Sequence, residues 1–295
     1  MTVPVGGAAD TGHTVGDRLQ VAGAVLGAAG VPEPRCEALA LWAALARTSS
    51  GAAWARRQEA AAPELERDFA DAVARRAAGV PSAYAAGTAA FRSLVLRVDP
   101  RVLIPRPETE GLVEHVLEWC RERGRWGVAA DIGTGSGCIA LSLASEGAFD
   151  RVIATDLSDA ALALAARNAA VVAPRTAVEF RAGDLLWPIG PERLDVLVSN
   201  PPYVTADEWA ALDAGVREHE PRMALVAGAD GLAHIRGLLR QVGSWLREGG
   251  LLALEVDCRR AGQALACARA HGWASARIEP DLFGRERYLL ATRET

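Results

Sequence analysis

An apolar run, a glycine-rich turn and a helical stretch follow one another without interruption at residues 128–144. Gly133, Gly135 and Gly137 alternate with small residues in the turn. Glycine lets the backbone turn sharply and approach a ligand closely, because it has no Cβ to clash. A second apolar run ends at Asp156, where a carboxylate can accept both hydroxyl hydrogens of a ribose. The segment therefore predicts a strand, turn and helix that hold a ligand containing a ribose.

The spacing of this turn distinguishes between two ligand classes. Dinucleotide-binding turns read G-x-G-x-x-G and place a pyrophosphate at a helix N-terminus. Here the turn reads G-x-G-x-G, and Asp131 precedes it by two residues. Asp131 would repel a pyrophosphate but would bind the ammonium group of a methionine moiety, directly or through water. The pattern favours S-adenosylmethionine over NAD.

A third apolar run is followed by Gly183, Asp184 and Leu185. Asp184 is placed to meet the amino group of an adenine, and Leu185 would form an apolar wall beside it. A lone acid after a strand is also compatible with a solvated loop, so both interpretations of Asp184 stay open.

Five short apolar runs alternate with helical stretches in the second half of the chain. They cover residues 128–132, 152–155, 178–181, 194–198 and 251–256. Alternation of this kind predicts an α/β fold with a parallel sheet covered by helices on both faces.

The spacing of apolar residues divides the rest of the chain into segments. Residues 1–15 show none and are predicted to form a disordered tail. Helical spacing of apolar residues predicts a helical domain over 16–85, and runs at 89–91 and 94–98 predict a β-hairpin within a connector, 86–104. The α/β domain is expected over 105–295.

The fourth run of the sheet ends in Asn200, Pro201, Pro202 and Tyr203. The two prolines make the chain leave the sheet rigidly at the edge that carries the glycine turn. There the Asn200 side chain and the Pro201 carbonyl can each accept one N–H of an amide or aromatic amine. Tyr203 would stack on the flat acceptor. These residues predict methyl transfer to a planar nitrogen, with Asn200, Pro201 and Tyr203 as the catalytic residues.

Composition limits the partners of the chain. A formal net charge of -5 disfavours general nucleic-acid binding. The five cysteines and five histidines show no metal-ligand spacing, so no metal is expected. No stretch is long and apolar enough for a membrane span. We expect a cytoplasmic, monomeric protein.

From about Arg75 onward the sequence resembles the peptide-chain release factor glutamine N5-methyltransferases. The resemblance is carried by several motifs, namely the glycine turn, 200–203, Arg-Val-Leu-Ile-Pro-Arg-Pro-Glu-Thr-Glu at 101–110, His-Glu-Pro-Arg at 219–222 with Ala-Leu at 224–225, 228–232 and Asp-Leu-Phe-Gly-Arg-Glu-Arg at 281–287. The resemblance implies a Rossmann-like seven-stranded methyltransferase domain behind a small N-terminal helical domain that docks the protein substrate. It also implies methyl transfer from S-adenosylmethionine to the glutamine of a Gly-Gly-Gln motif in release factors.

The resemblance also implies site residues. Together with the residues argued above, the predicted cofactor-binding set is Asp131, Gly133, Thr134, Gly135, Ser136, Gly137, Asp156, Asp184, Leu185 and Asn200. The predicted substrate-binding set is Asn200, Pro201, Pro202, Tyr203, Glu108 and Thr109. Leu185 replaces a commonly aromatic residue, so Trp187 is a second candidate for contact with adenine. Glu108 and Glu110 have an alternative interpretation, which is an ion pair with Arg106.

Three other functions stay open at this point. A related group methylates a glutamine of a ribosomal protein, and the segment 108–110 argues against it only in part. The Asn-Pro-Pro-Tyr segment would also suit an adenine-N6 methyltransferase of nucleic acid. A non-catalytic module with a degenerate cofactor site is opposed by the intact Asp131, Asp156 and Asn200.

Overall fold

Five helices form the first of two units into which the chain separates after Thr88. The structure is a computed structural model that describes residues 13–294. Most of the predicted tail, 1–15, therefore lies outside the described residues. The helices of the first unit are α1 (Val15–Ala28), α2 (Pro34–Leu45), α3 (Ser50–Ala55), α4 (Pro63–Ala77) and α5 (Ser82–Ala86).

Local chemistry explains where the first helix begins. The Thr14 side chain accepts a hydrogen bond from the Asp17 backbone nitrogen, and the Asp17 carboxylate accepts one from the Thr14 backbone nitrogen. This reciprocal cap satisfies two helix donors that would otherwise lack partners. Thr14 and Val15 thus belong to α1 and its cap, which corrects the predicted tail at its last residues. In the core of this unit, the rings of Trp42 and Phe69 pack edge to face, with 4.9 Å between their centroids.

The second unit begins with a two-stranded hairpin and continues as alternating helices and strands. The hairpin strands are β1 (Thr88–Phe91) and β2 (Leu94–Arg97). Then follow α6 (Pro107–Arg123), β3 (Val128–Ile132), α7 (Cys138–Glu146), β4 (Arg151–Asp156), α8 (Asp159–Val172), β5 (Val178–Ala182) and β6 (Leu194–Ser199). The chain ends with α9 (Ala206–Ala211), α10 (Ala214–His219), α11 (Ala233–Gln241), β7 (Leu246–Glu255), α12 (Ala261–Ala270), β8 (Arg277–Pro280) and β9 (Glu286–Thr292).

Strands β3 to β9 form one seven-stranded sheet in the order β5-β4-β3-β6-β7-β9-β8. The first five strands in this order are parallel, and β9 pairs antiparallel with both β7 and β8, so that the edge strand β8 runs in the same direction as the first five. This is the Rossmann-like methyltransferase sheet that the resemblance implied. The strand order reverses between β3 and β6, and ligands of open α/β sheets bind in the crevice at such a reversal.

Neighbouring residues of the central strands pack on opposite faces of this sheet. Ala129 of β3 and Val196 of β6 belong to one hydrophobic cluster, whereas Ala130 and Leu197 belong to another. All four are fully buried, so both faces of the sheet are covered. Burial on both faces gives uninterrupted apolar runs, which is why the parallel strands were predictable from the sequence.

Candidate active site

The glycine turn between β3 and α7 requires left-handed backbone. Gly133, Gly135 and Gly137 have φ of +75°, +54° and +85°. A Cβ on Gly133 or Gly135 would meet no described atom within 4 Å, whereas on Gly137 it would lie 3.1 Å from a methyl group of Leu141. The first two glycines therefore leave free space beside the turn, and the third lets α7 pack closely.

Asp131 lies beneath this turn and is fully buried. Its Oδ2 atom accepts hydrogen bonds of 2.7 Å from Thr134 Oγ1 and 3.1 Å from the Ala140 backbone nitrogen. Its Oδ1 atom has no hydrogen-bond partner among the described residues. Burial raises the pKa of Asp131 to about 7. The carboxylate thus fixes the turn to α7 and keeps one oxygen available.

Asp156 stands at the carboxyl end of β4, beside the turn. Its Oδ2 atom accepts a 2.9 Å hydrogen bond from the Gly135 backbone nitrogen, and its Oδ1 atom accepts one of 2.9 Å from the Ser158 backbone nitrogen. Each carboxylate oxygen can accept a second hydrogen bond. Asp156 therefore holds the turn in place and can still accept hydrogens from a ligand.

The loop after β5 carries Asp184 and Leu185. Leu185 has φ of +45°, a left-handed conformation that is uncommon for a residue with a side chain and is often found at functional sites. His234 lies near Asp184; burial lowers the pKa of this imidazole, and the Asp184 carboxylate opposes that change. Trp187 is 84% exposed and is not on the wall of the cleft described below, whereas Leu185 is.

Asn200 follows β6 and is held by residues from two other elements. Its Nδ2 atom donates a 3.0 Å hydrogen bond to Thr109 Oγ1 in the first turn of α6. Thr109 Oγ1 in turn donates a 2.7 Å hydrogen bond to Glu255 Oε2 at the end of β7. Tyr203 is half-buried, and burial together with the nearby Glu255 raises the pKa of its phenol.

A cleft that is partly open to solvent connects these segments. Eight of the predicted site residues form part of its wall, namely Gly133, Gly135, Asp156, Asp184, Leu185, Asn200, Pro201 and Pro202. The predicted residues that do not line this cleft are Asp131, Thr134, Ser136, Gly137, Glu108, Thr109 and Tyr203. The structure therefore gathers about half of the predicted site residues around one cleft.

Several wall residues were not predicted individually. They include Arg101, Val102, Leu103, Pro221, Met223, Ala224, His234 and Leu238. The motifs at 101–110, 219–222 and 224–225 were the available signal for Arg101, Val102, Leu103, Pro221 and Ala224. Glu255 had a weaker signal, which was an acidic residue at the end of an apolar run.

The suggestion that Arg106 forms an ion pair with Glu108 or Glu110 is wrong. Arg106 pairs with Glu220 at 2.6 Å, not with Glu108 or Glu110. Glu110 instead accepts a 2.9 Å hydrogen bond from the Arg92 backbone nitrogen at the hairpin turn. The first turn of α6 directs Glu110 toward the hairpin, whereas Arg106 precedes the helix and reaches the segment after β6.

The described residues contain no group of three or more histidine, cysteine or acidic side chains arranged to hold a metal ion. Over the same part of the chain, residues 13–294, no helix has the length and apolar character needed to cross a membrane.

Comparison with solved structures identifies the fold of the sheet domain. A methyltransferase from Pyrococcus furiosus matches with a TM-score of 0.50 and 19% identity, over 68% of this chain and 89% of that one. A 16S rRNA methyltransferase from Thermus thermophilus, in complex with AdoMet and guanosine, also matches with a TM-score of 0.50, at 16% identity over 70% of this chain and 50% of that one.

Sequence comparison is more specific. Residues 17–87 match the PrmC N-terminal domain, and residues 109–216 match the methyltransferase small domain. Release factor glutamine methyltransferases match at 43% identity from Moorella thermoacetica, over 91% of this chain and 94% of the relative, and at 40% from Deinococcus radiodurans, over 94% and 98%. With this identity over nearly the full length of both relatives, the chain belongs to the release factor glutamine methyltransferase family.

Proposed function

We propose that this enzyme transfers the methyl group of S-adenosylmethionine to the side-chain amide nitrogen of glutamine in the Gly-Gly-Gln motif of peptide-chain release factors. The observation that carries the proposal is the position of Asn200. Its amide lies on the wall of a cleft that also contains the glycine turn and Asp156. Family membership supports the choice of glutamine in a release factor over other planar nitrogens.

The residues of the cleft fit the parts of S-adenosylmethionine. Asp156 would accept hydrogen bonds from the ribose hydroxyls, and Asp184 with Leu185 would border the adenine. The turn from Gly133 to Gly137 would hold the cofactor, and Asp131, whose buried Oδ1 has no hydrogen-bond partner among the described residues, would bind its ammonium group directly or through water. When bound, the cofactor supplies an electrophilic methyl group on a sulfonium centre.

Asn200 and Pro201 activate the acceptor by hydrogen bonding. An amide nitrogen is a poor nucleophile because its lone pair is delocalised into the carbonyl. Acceptor oxygens from Asn200 Oδ1 and the Pro201 carbonyl bind its two N–H groups and stabilise the charge that develops as the nitrogen attacks. The amide nitrogen that has gained the methyl group carries one excess proton, which it loses to solvent because it has become acidic.

The remaining predicted substrate residues position the acceptor. Pro202 lies on the cleft wall next to Pro201, and Tyr203 follows with its ring half-buried. We assign Tyr203 to stacking against the flat amide of the glutamine. Glu108 and Thr109 support this region from the first turn of α6.

The direct test is a methyl-transfer assay with labelled S-adenosylmethionine and a purified, unmodified release factor, followed by peptide mass mapping. One methyl group should appear on the glutamine of Gly-Gly-Gln. A release factor in which this glutamine is replaced by alanine is the matched control and should stay unlabelled. The Asn200→Ala enzyme should bind S-adenosylhomocysteine but transfer no methyl group.

Other acceptors give distinct outcomes in the same assay. Label on a ribosomal protein alone would move the activity to the related ribosomal group, and label on adenine would contradict the proposal. The formal net charge of -5 supports action without direct nucleic-acid binding, and we also propose that the enzyme is a cytoplasmic monomer. Sedimentation of the purified enzyme checks the monomeric state. A binding assay with RNA at two salt concentrations checks whether the enzyme binds nucleic acid.

A further inference from the structure

Three elements of the α/β unit meet behind the cleft wall through two hydrogen bonds in series. Asn200, after β6, donates to Thr109 in α6, and Thr109 donates to Glu255 at the end of β7. Thr109 and Glu255 are 2% and 1% exposed, so water does not compete for these bonds. Only Asn200 of the three lies on the wall of the cleft.

The direction of these bonds determines which way the Asn200 amide faces. An ionised carboxylate can only accept hydrogen bonds, so the single hydroxyl hydrogen of Thr109 goes to Glu255. The Thr109 oxygen then has only lone pairs left for Asn200. It can accept from the NH₂ group of Asn200 but cannot donate to its oxygen. The Asn200 oxygen is therefore held on the side away from Thr109.

We propose that Thr109 and Glu255 are positioning residues that fix the orientation of the Asn200 amide, so that its oxygen faces the nitrogen to be methylated. This inference rests on the proposed function, because it assigns a direction to the hydrogen bond that Asn200 makes with the acceptor. A reversed amide would direct NH₂ toward the N–H groups of the glutamine, where two donors meet without an acceptor. Thr109, predicted above to touch the substrate, then acts through Asn200 instead.

The surroundings of Glu255 keep the two hydrogen bonds in place. The Tyr288 hydroxyl donates a 2.5 Å hydrogen bond to the Glu108 carbonyl, which ties the first turn of α6 to β9. Arg287 faces Glu255 and is itself paired with Asp281 at 2.8 Å. The titratable and charged groups that face Glu255 are Glu108 from α6, Cys138 from α7, Tyr203 after β6, and Arg287 and Tyr288 from β9.

A purely structural clamp between α6 and β7 is the alternative explanation. Two variants separate the explanations, because valine has the shape of threonine without the hydroxyl and serine keeps the hydroxyl. For Thr109→Val, we expect kcat of the full-length enzyme on release factor to fall at least tenfold. The dissociation constant for S-adenosylhomocysteine should change less than about threefold, and Thr109→Ser should recover most of the lost kcat.

A spectroscopic measurement tests the amide independently of activity. The side-chain NH₂ resonances of Asn200, assigned by comparison with Asn200→Ala, should show one hydrogen-bonded proton in the unaltered enzyme and in Thr109→Ser. That signature should disappear in Thr109→Val.

Unchanged Asn200 resonances in Thr109→Val would overturn the inference even if no substrate were methylated. An equal loss of kcat in the valine and serine variants would also overturn it, because the hydroxyl would then be irrelevant. By contrast, failure of the unaltered enzyme to label Gly-Gly-Gln would count against the proposed function alone.

Discussion

Glu220 accepts a 2.6 Å hydrogen bond from the guanidinium of Arg106, 114 residues earlier in the chain. Glu220 is 5% exposed, and it also accepts a hydrogen bond of 3.3 Å from the Ile104 backbone nitrogen. The segments on either side of this pair, 101–103 and 221–224, both contribute to the wall of the cleft. The Arg106–Glu220 pair therefore connects two segments of the cleft wall that are far apart in the sequence.

Replacing Glu220 with alanine should loosen both walls at once. The change leaves the Arg106 guanidinium and the Ile104 N–H without their acceptor. We expect the free energy of unfolding to fall by about 2 kcal/mol and the cofactor to bind several-fold more weakly. Urea denaturation and calorimetric titration with S-adenosylhomocysteine measure the two effects.

The surface pair Arg56–Glu59 provides the control for this experiment. Its side chains are 69% and 54% exposed, so Glu59→Ala should change neither quantity measurably. Cofactor affinity that stays unchanged in Glu220→Ala would show that the pair does not shape the cleft.

A second prediction separates backbone strain from ligand contact in the glycine turn. Gly135 and Gly124 have φ of +54° and +60°, and a Cβ on either would meet no described atom within 4 Å. Alanine should therefore cost a similar amount of stability at both positions, about 1 kcal/mol. Only Gly135 borders the cleft, so only Gly135→Ala should weaken S-adenosylhomocysteine binding. Calorimetric titration of the two variants side by side checks this, and equal affinities would place the cofactor away from the turn.

The parallel strands and the turn were predictable because each depends on residues close together in the sequence. Strands β8 and β9 were known only through the resemblance. Strand β8 is an edge strand with exposed and half-buried residues, so it has no apolar run to identify it. Strand β9 has the buried run 287–291, but the run does not show that it inserts antiparallel between β7 and β8.

The site shows the same limit. Asn200 and Asp156 were predictable because each ends a strand at the ligand-binding edge. Glu255 also ends a strand, yet its role depends on Thr109, 146 residues away, which only the packing of α6 against β7 brings within 2.7 Å. The partner of Arg106 was predicted wrongly for a similar reason, since the nearest carboxylates in sequence point elsewhere.

Asp131 should make stability depend on pH in a definite direction. Burial raises its pKa from 3.8 to about 7, so the folded chain holds this proton more tightly than the unfolded chain. The resulting stabilisation is complete below about pH 4 and is lost as the pH rises toward 7. The Asp131→Asn variant cannot ionise at this position, so it does not lose stability in this way as the pH rises. Its stability relative to the unaltered enzyme should rise by up to about 1.4 kcal/mol per pH unit in that window. Urea denaturation at several pH values measures the difference, and parallel profiles would contradict it.

Glu255 should make catalysis depend on pH in the opposite sense. Burial raises its pKa from 4.5 to about 7. When protonated, it can donate to Thr109, whose hydroxyl is then free to donate to the Asn200 oxygen and reverse the amide. We therefore expect kcat with saturating substrates to rise with pH through about 7 and then to level off. Glu255→Gln cannot ionise and can present either a donor or an acceptor to Thr109, so its kcat should be lower and flat across this range. Asp131 also has a pKa raised to about 7, so Asp131→Asn is the control, and its kcat should still rise with pH. If kcat instead rises with pH in Glu255→Gln and does not in Asp131→Asn, the titrating group is Asp131 of the glycine turn.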